Sequence, residues 1–332
     1  MSESKNLRVV FLGTGEIGLP SLGWLLAQES IEVAAVVTQP DRPSGRHLQL
    51  TPPPVKVVAE AAGVPVFQPA RLRAEESLNE LVGFSADLFI VVAYGQILSA
   101  RALAIPRLGC LNIHASVLPR HRGASPIQSA ILSGDQTTGV TIMWMDEGLD
   151  TGDILLTHEC AILASDTAGK LHDRLAEMAP AALREALDCI REGQAPRIPQ
   201  DDSLATHSRK ISRQDGLVDW FLTAEEIHRR FRAYSPWPGS FSLLPDGRRL
   251  IVREAVCGPS LGLEPGTVAP LQESGLPVAA GAGSLMLQQV QVEGGRPMTA
   301  GEFVCGHGDL VGKRLKAQVP RLGADFGGAP VG

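Results

Sequence analysis

The sequence lacks any apolar run approaching the roughly 18 to 20 residues needed to cross a bilayer. Its start, MSESKNLRVVFLG, lacks the charged opening, long apolar stretch and small-residue cleavage site of a secretory signal. Neither a membrane span nor export is expected. Cysteine is sparse: five residues, at 110, 160, 189, 257 and 305, with no C-x-x-C pair. An odd, unpaired set excludes a disulfide framework and a zinc ribbon, and a reducing cytoplasm follows as the expected location. Excess positive charge is missing as well. The net charge is −6, which by itself argues against a polyanionic partner. No internal repeat is present.

The charge is unevenly spread. From Lys210 onward the chain carries +1, and everything before it −7. Arginines cluster in that second part, at Arg229, Arg230 and Arg232 and again at Arg248, Arg249 and Arg253. A local basic face on an acidic protein can still steer a polyanion. A solvated helix face plus a hairpin explains the same pattern equally well.

The 332 residues exceed one ordinary core and suit two domains. LRVVFLG (7–13), IEVAAVVTQ (31–39), ADLFIVVAYG (86–95) and the run at 110–116 are apolar, as strands buried on both faces are. They alternate with helical stretches, the longest at 166–193. The pattern predicts an α/β fold: a doubly wound, Rossmann-like, mostly parallel sheet over residues 1–195. Residues 196–211, polar and proline-bearing, read as a linker. Beyond them, over 212–316, one helix and short strands broken by PDG, PG and GG predict a smaller OB-like β-barrel. The last stretch, 317–332, reads as a disordered tail.

GTGEIG places Gly13, Gly15 and Gly18 in the G-x-G-x-x-G pattern, and Asp41 falls where a dinucleotide fold puts its ribose-binding acid. A glycine-rich first turn, however, only requires backbone passing close to a helix N-terminus. Asp41 also opens a stiff Arg-Pro-Ser-Gly-Arg loop, so NAD is not expected.

CLNIHASVLPRHRGASPI (110–127) carries the chemistry. Along a strand, side chains at i and i+2 share a face, so Asn112 and His114 stand side by side. An amide can donate to a developing oxyanion, and an imidazole can add a second hydrogen bond or move a proton. MDEGLDTGDI (145–154) supplies acids: Asp146, Glu147, Asp150 and Asp153. Their spacing does not match a calcium loop, and no metal is expected. A hydrogen-bonded strand end and a solvated acidic turn remain the plain alternatives.

NIHASVLPRHRGASPI followed by DEGLDTGDIL resembles the signature of the folate-dependent formyltransferases. That resemblance implies a catalytic set of Asn112, His114 and Asp150. It implies 10-formyltetrahydrofolate as co-substrate, with the pterin near VVAYGQIL (91–98) and the 145–150 loop, including Tyr94 and Asp146. Ser116, Val117, Leu118 and Pro119 would line the formyl site. VVTQPDRPSGR, KISRQDGLVDW and RAYSPWPGS are similar to the tRNA-acting branch of the family. They imply charged initiator methionyl-tRNA as acceptor and partner, a basic barrel that binds it, and a monomer. The contacts to RNA would come from Arg42, Arg46, Arg248 and Arg249. The family's loop often continues Gly-Lys-Lys where this chain has His47-Leu48-Gln49, so the loop's contact rests on its two arginines. Formyl transfer to a sugar-nucleotide amine, or hydrolysis of the formyl-folate, would use the same three residues.

A structural role for GTGEIG has a direct test. NAD and NADP should leave thermal stability unchanged, whereas a formyl-folate analogue at 100 times its Kd should stabilise the fold by about 2.7 kcal/mol. A dinucleotide shift of that size in a melting assay would restore the oxidoreductase reading.

Overall fold

The computed structural model describes residues 6–44 and 49–316. Arg46 and the 317–332 tail lie outside the described residues. The chain divides after Lys210 into two compact units. Among the described residues no helix is long and apolar enough to cross a membrane.

In the first unit, the apolar run β1 (Leu7–Gly13) has its last five residues buried. The glycine-rich turn leads into α1 (Leu19–Leu26), with a proline in its first turn, where a missing N–H costs nothing. β2 (Ile31–Val37), the hairpin β3 (Arg42–Ser44) and β4 (Gln49–Thr51), α2 (Pro54–Ala61) and β5 (Val66–Phe67) follow. The chain then returns through α3 (Glu75–Gly83), β6 (Leu88–Val92), α4 (Ala100–Leu103) and β7 (Cys110–His114). Next come β8 (Arg122–Gly123), α5 (Pro126–Ser133), β9 (Thr137–Trp144), β10 (Ile154–Ala161), α6 (Ala168–Arg191) and β11 (His207–Ser208).

The sheet order is β10-β9-β7-β6-β1-β2-β5. Five strands are parallel, and β9 and β10 form an antiparallel edge. The chain builds outward from β1 to β5, then crosses back to β6 on the other side of β1. That reversal opens a crevice beyond the carboxyl ends of β1 and β6, where open α/β sheets take ligands.

The GTGEIG turn is packed tightly there. A Cβ on Gly13 would come within 2.6 Å of the Phe11 ring, and Thr14 Oγ1 donates to the Tyr94 carbonyl at 2.9 Å. Asp41 is engaged by Gln68 Nε2 at 2.7 Å and Lys56 Nζ at 3.0 Å. These two partners, Gln68 foremost, hold its carboxyl below the usual range. Asp41 thus roots the hairpin rather than facing an open ribose pocket.

The segment expected as a linker is instead strapped to the first unit up to Lys210. Ile198 bridges to Ile154, and Pro196 accepts from the Trp144 indole at 3.0 Å. β11 pairs in parallel with β8. Polar composition suggested free chain because these residues bury backbone and amide groups, not apolar side chains.

The second unit holds α7 (Ala224–Ala233), β12 (Ser240–Leu243), β13 (Arg249–Gly258), β14 (Leu276–Ala279), β15 (Ser284–Val292), β16 (Pro297–Thr299) and α8 (Ala300–His307). Its five strands are antiparallel, in the order β12-β13-β15-β14 with β16 also on β15. Single bridges such as Leu243–Lys316 and Thr267–Arg314 tie in the later chain. Both helices start with a capping box, Thr223 with Glu226 and Thr299 with Glu302, each satisfying two otherwise unpaired N–H groups. Trp220, Leu287 and Phe303 anchor the core, and the Trp220 indole donates to Ser242 Oγ at 2.9 Å.

Candidate active site

Beyond the β1/β6 crossover lies a cleft of about 800 Å³, lined by residues 91–98, 112–115, 123–128 and 145–150 together with Ser208 and Lys210. That size suits a drug-sized organic ligand. Asn112 and His114 enter it from β7, both nearly buried. The 145–153 loop, between β9 and β10, brings Asp150 back over them.

Asp150 ties the three together. Asn112 Nδ2 donates to its Oδ1 at 3.1 Å. The Gly123 backbone N–H donates to its Oδ2 at 2.8 Å. That same oxygen stands 3.7 Å from His114 Nδ1, too far for a hydrogen bond. Asp150 itself has φ +55, Ala93 on the opposite wall φ +46, and His121 φ +61. Three of the four non-glycine residues in the left-handed region, among those described, therefore sit in or beside the cleft, where such strain commonly accompanies function. Gly123 has φ +112, and a Cβ there would lie 2.4 Å from the Ser208 carbonyl. Only glycine lets β8 and β11 come together while its N–H reaches Asp150.

His114 Nε2 lies 3.1 Å from the His121 carbonyl. A carbonyl only accepts, so Nε2 carries the proton in the neutral ring and Nδ1 presents its lone pair toward Asp150. Burial pushes the His114 pKa down, opposed by the Asp150 charge. The resting ring is therefore neutral, and a proton arriving at Nδ1 finds a carboxylate beside it. His121 is fixed in turn by Asp135 at 2.7 Å and Ser129 at 2.9 Å.

Not every expected ligand contact is brought to the cleft. Ser116 is buried and spends its hydroxyl on the Arg120 carbonyl. Leu118 is buried, its N–H on Thr141. Val117 faces a separate small pocket, and Pro119 accepts from Thr206. The proline-bounded turn carries these four away from the strand end, so they do not line the cleft. Tyr94 borders it, but its side chain is 2% exposed and part of the apolar core. Asp146 lines it with a carboxylate already taken by Thr151 and Gly148. Arg42 is exposed on β3, its guanidinium 3.3 Å from Gln39 Oε1. In the second unit, exposed Arg248 is paired with Asp246, and Arg249 stacks 4.7 Å over Phe241. Among the described residues no cluster of three or more metal-ligating side chains occurs.

A formyl transferase family model matches residues 7–187, and the model of its C-terminal domain matches 210–308. The chain belongs to the formyl transferase family. A methionyl-tRNA formyltransferase of Symbiobacterium thermophilum is 48% identical, over 93% of this chain and 95% of its own length. Another, of Citrifermentans bemidjiense, is 43% identical over 93% and 97%. The crystal structure of a Helicobacter canadensis N-formyltransferase with folinic acid and dTDP-3-aminofucose superposes with a TM-score of 0.60 over 85% of this chain and 98% of that one. At 15% identity that likeness speaks for the fold alone.

Sequence reasoning missed several parts of this formyltransferase's cleft. The Gly123 N–H, the His121 carbonyl and Lys210 carry no side-chain pattern that marks them. The basic turn PRHRG was noticeable, yet what it brings directly to Asp150 and His114 is backbone, the Gly123 N–H and the His121 carbonyl.

The lowered His114 pKa makes a prediction about stability. The unfolded chain binds a proton on this ring below its ordinary value of 6.5, while the folded chain does not until lower pH. Folding should therefore weaken as pH falls through about 6.5 and level off below the folded value. His114→Gln should show a smaller drop in urea midpoint between about pH 7.5 and about pH 5.5 than the parent; an identical drop would contradict the neutral, buried ring.

Proposed function

We propose that this formyltransferase moves the formyl group of 10-formyltetrahydrofolate onto the α-amine of initiator methionyl-tRNA. The observation that carries the chemistry is the convergence of Asn112, His114 and Asp150 on one side of a cleft of about 800 Å³. The acceptor is supported by the relatives' names at 48% and 43% identity over nearly their full length.

Asn112 Nδ2 spends one N–H on Asp150 and keeps the other for the formyl oxygen as it gains negative charge. His114 Nδ1 takes a proton from the attacking amine as the new carbon–nitrogen bond forms. The resulting imidazolium is held between Asp150 and the His121 carbonyl. His114 then returns the proton to the folate nitrogen as the formyl–nitrogen bond breaks, so the ring ends as it began. The reaction moves no electrons to or from an external carrier. Neither a metal nor a nicotinamide is assigned a role, and we place the reaction in the cytoplasm with a monomeric enzyme.

For the RNA, Arg42 at the root of the β3–β4 hairpin, with Arg46, is the proposed contact. A guanidinium fork suits phosphate because it can bond two oxygens at once. Arg248 and Arg249 are proposed as further contacts from the second unit, Arg248 by exchanging its Asp246 partner for a phosphate and Arg249 from its place over Phe241. A sugar amine as acceptor is not favoured, since the solved structure that suggests it is 15% identical.

Incubation with 10-formyltetrahydrofolate and charged initiator tRNA should yield formyl-methionyl-tRNA. Asn112→Ala should lower turnover by about 10² or more, the scale of losing one oxyanion donor, about 2.7 to 4 kcal/mol; near-normal turnover would remove Asn112 from the mechanism. Arg42→Ala should raise KM for charged tRNA, leave formyl-folate affinity intact, and reduce the log–log salt slope by roughly 0.7 to 0.9 for each phosphate no longer neutralised. An unchanged specificity constant and slope would move recognition to the second unit.

A further inference from the structure

We propose that Gln200, in the strap that closes the first unit, is a positioning residue for Asp150, so that the strap completes the active site. The inference rests on reading Asp150 as part of the catalytic set. A left-handed aspartate does not hold its own backbone, and its carboxylate points wherever residues 150–152 direct it. Gln200 Nε2 donates to the Asp150 carbonyl at 2.9 Å and to the Gly152 carbonyl at 2.7 Å. One amide thus pins both ends of the turn.

The amide is itself fixed. Gln200 Oε1 accepts from Arg122 Nε at 3.0 Å and from its Nη2 at 2.9 Å. Arg122 is 3% exposed, and its remaining partner, Asp202 at 2.8 Å, is also on the strap. Burying a guanidinium is costly unless its donors are paired, and here the strap supplies the partners. Arg122 immediately precedes Gly123, whose N–H holds the Asp150 carboxylate. The carboxylate and the backbone of Asp150 are therefore gripped by neighbouring atoms of one assembly: Gly123 at one end, Gln200 at the other. Thr206 and Ser208 fasten the same two segments further along, through His121 N and Ser125 N.

Neither Gln200 nor Arg122 lines the cleft, which sets the expected kinetic signature. Gln200→Met keeps the side chain's length and removes both donors. Its kcat should fall about 10- to 100-fold, the scale expected when a reacting group is misplaced by about 1 Å, while KM for formyl-folate and for charged initiator tRNA changes less than about twofold. Gln200→Glu keeps the acceptors for Arg122 but faces the two carbonyls with lone pairs; it should lose kcat similarly, and it decides the matter if the methionine variant fails to fold. In an Asp150→Ala background, followed by single turnover, Gln200→Met should cost nothing more, because its effect runs through Asp150. Undiminished kcat in the glutamate variant, or a further loss of about tenfold in the Asp150→Ala background, overturns the proposal while leaving the catalytic set standing. Full activity of Asp150→Ala alone would overturn both.

Discussion

The structure around the cleft depends on holding one carboxylate where three elements distant in sequence meet. Asp150 has Asn112 on one oxygen, the Gly123 N–H on the other, and His114 just beyond bonding distance. Each partner demands something specific of the chain. Asn112 and His114 need the β7 alternation. The Gly123 N–H needs a left-handed residue without a Cβ pressed against the strap. Asp150 needs a strained backbone that its neighbours over-determine. Disturbing any of these leaves a nearly buried charge short of its partners, which is costly in itself.

The 3.7 Å gap between His114 and Asp150 decides what the pair can do. A closer approach would fix a proton between them in the resting state. At this separation the His121 carbonyl sets the tautomer, burial keeps the ring neutral, and the carboxylate favours a proton once it arrives. The Asp135–His121–Ser129 cluster resembles a relay in its residue types, but its geometry serves to hold that carbonyl still. Polar networks that are fully paired in this way rigidify a site.

The glycine-rich turn has a different task from the one its pattern suggests. It lets β1 pass into α1 against Phe11 and joins the opposite wall of the cleft through Thr14 and the Tyr94 carbonyl. Gln39 reaches the same carbonyl at 3.2 Å and accepts from Arg42. The hairpin root and the cleft wall are thereby connected through two side chains.

By itself the sequence determined the strand and helix alternation of the first unit, the change to a mostly β second unit, though not the length of its two central strands, β13 at 10 residues and β15 at 9, and the pairing of Asn112 with His114 on one face. Those features follow from local periodicity, and periodicity is a property of neighbouring residues. It also indicated the acidic loop but could not choose among its acids by geometry, since Asp146, Asp150 and Asp153 differ only in where the turn points them; the resemblance singled out Asp150. Tertiary structure decided the rest. It turned Ser116 to Pro119 away from the cleft, because the turn after β7 spends their polar groups on protein partners. It made 196–210 a strap rather than a linker, because Gln200, Thr206 and Ser208 bond to backbone atoms far off in sequence. Hydrogen bonds to main chain leave no apolar pattern behind them, so a polar, proline-bearing segment looks the same in sequence whether it is free or fastened.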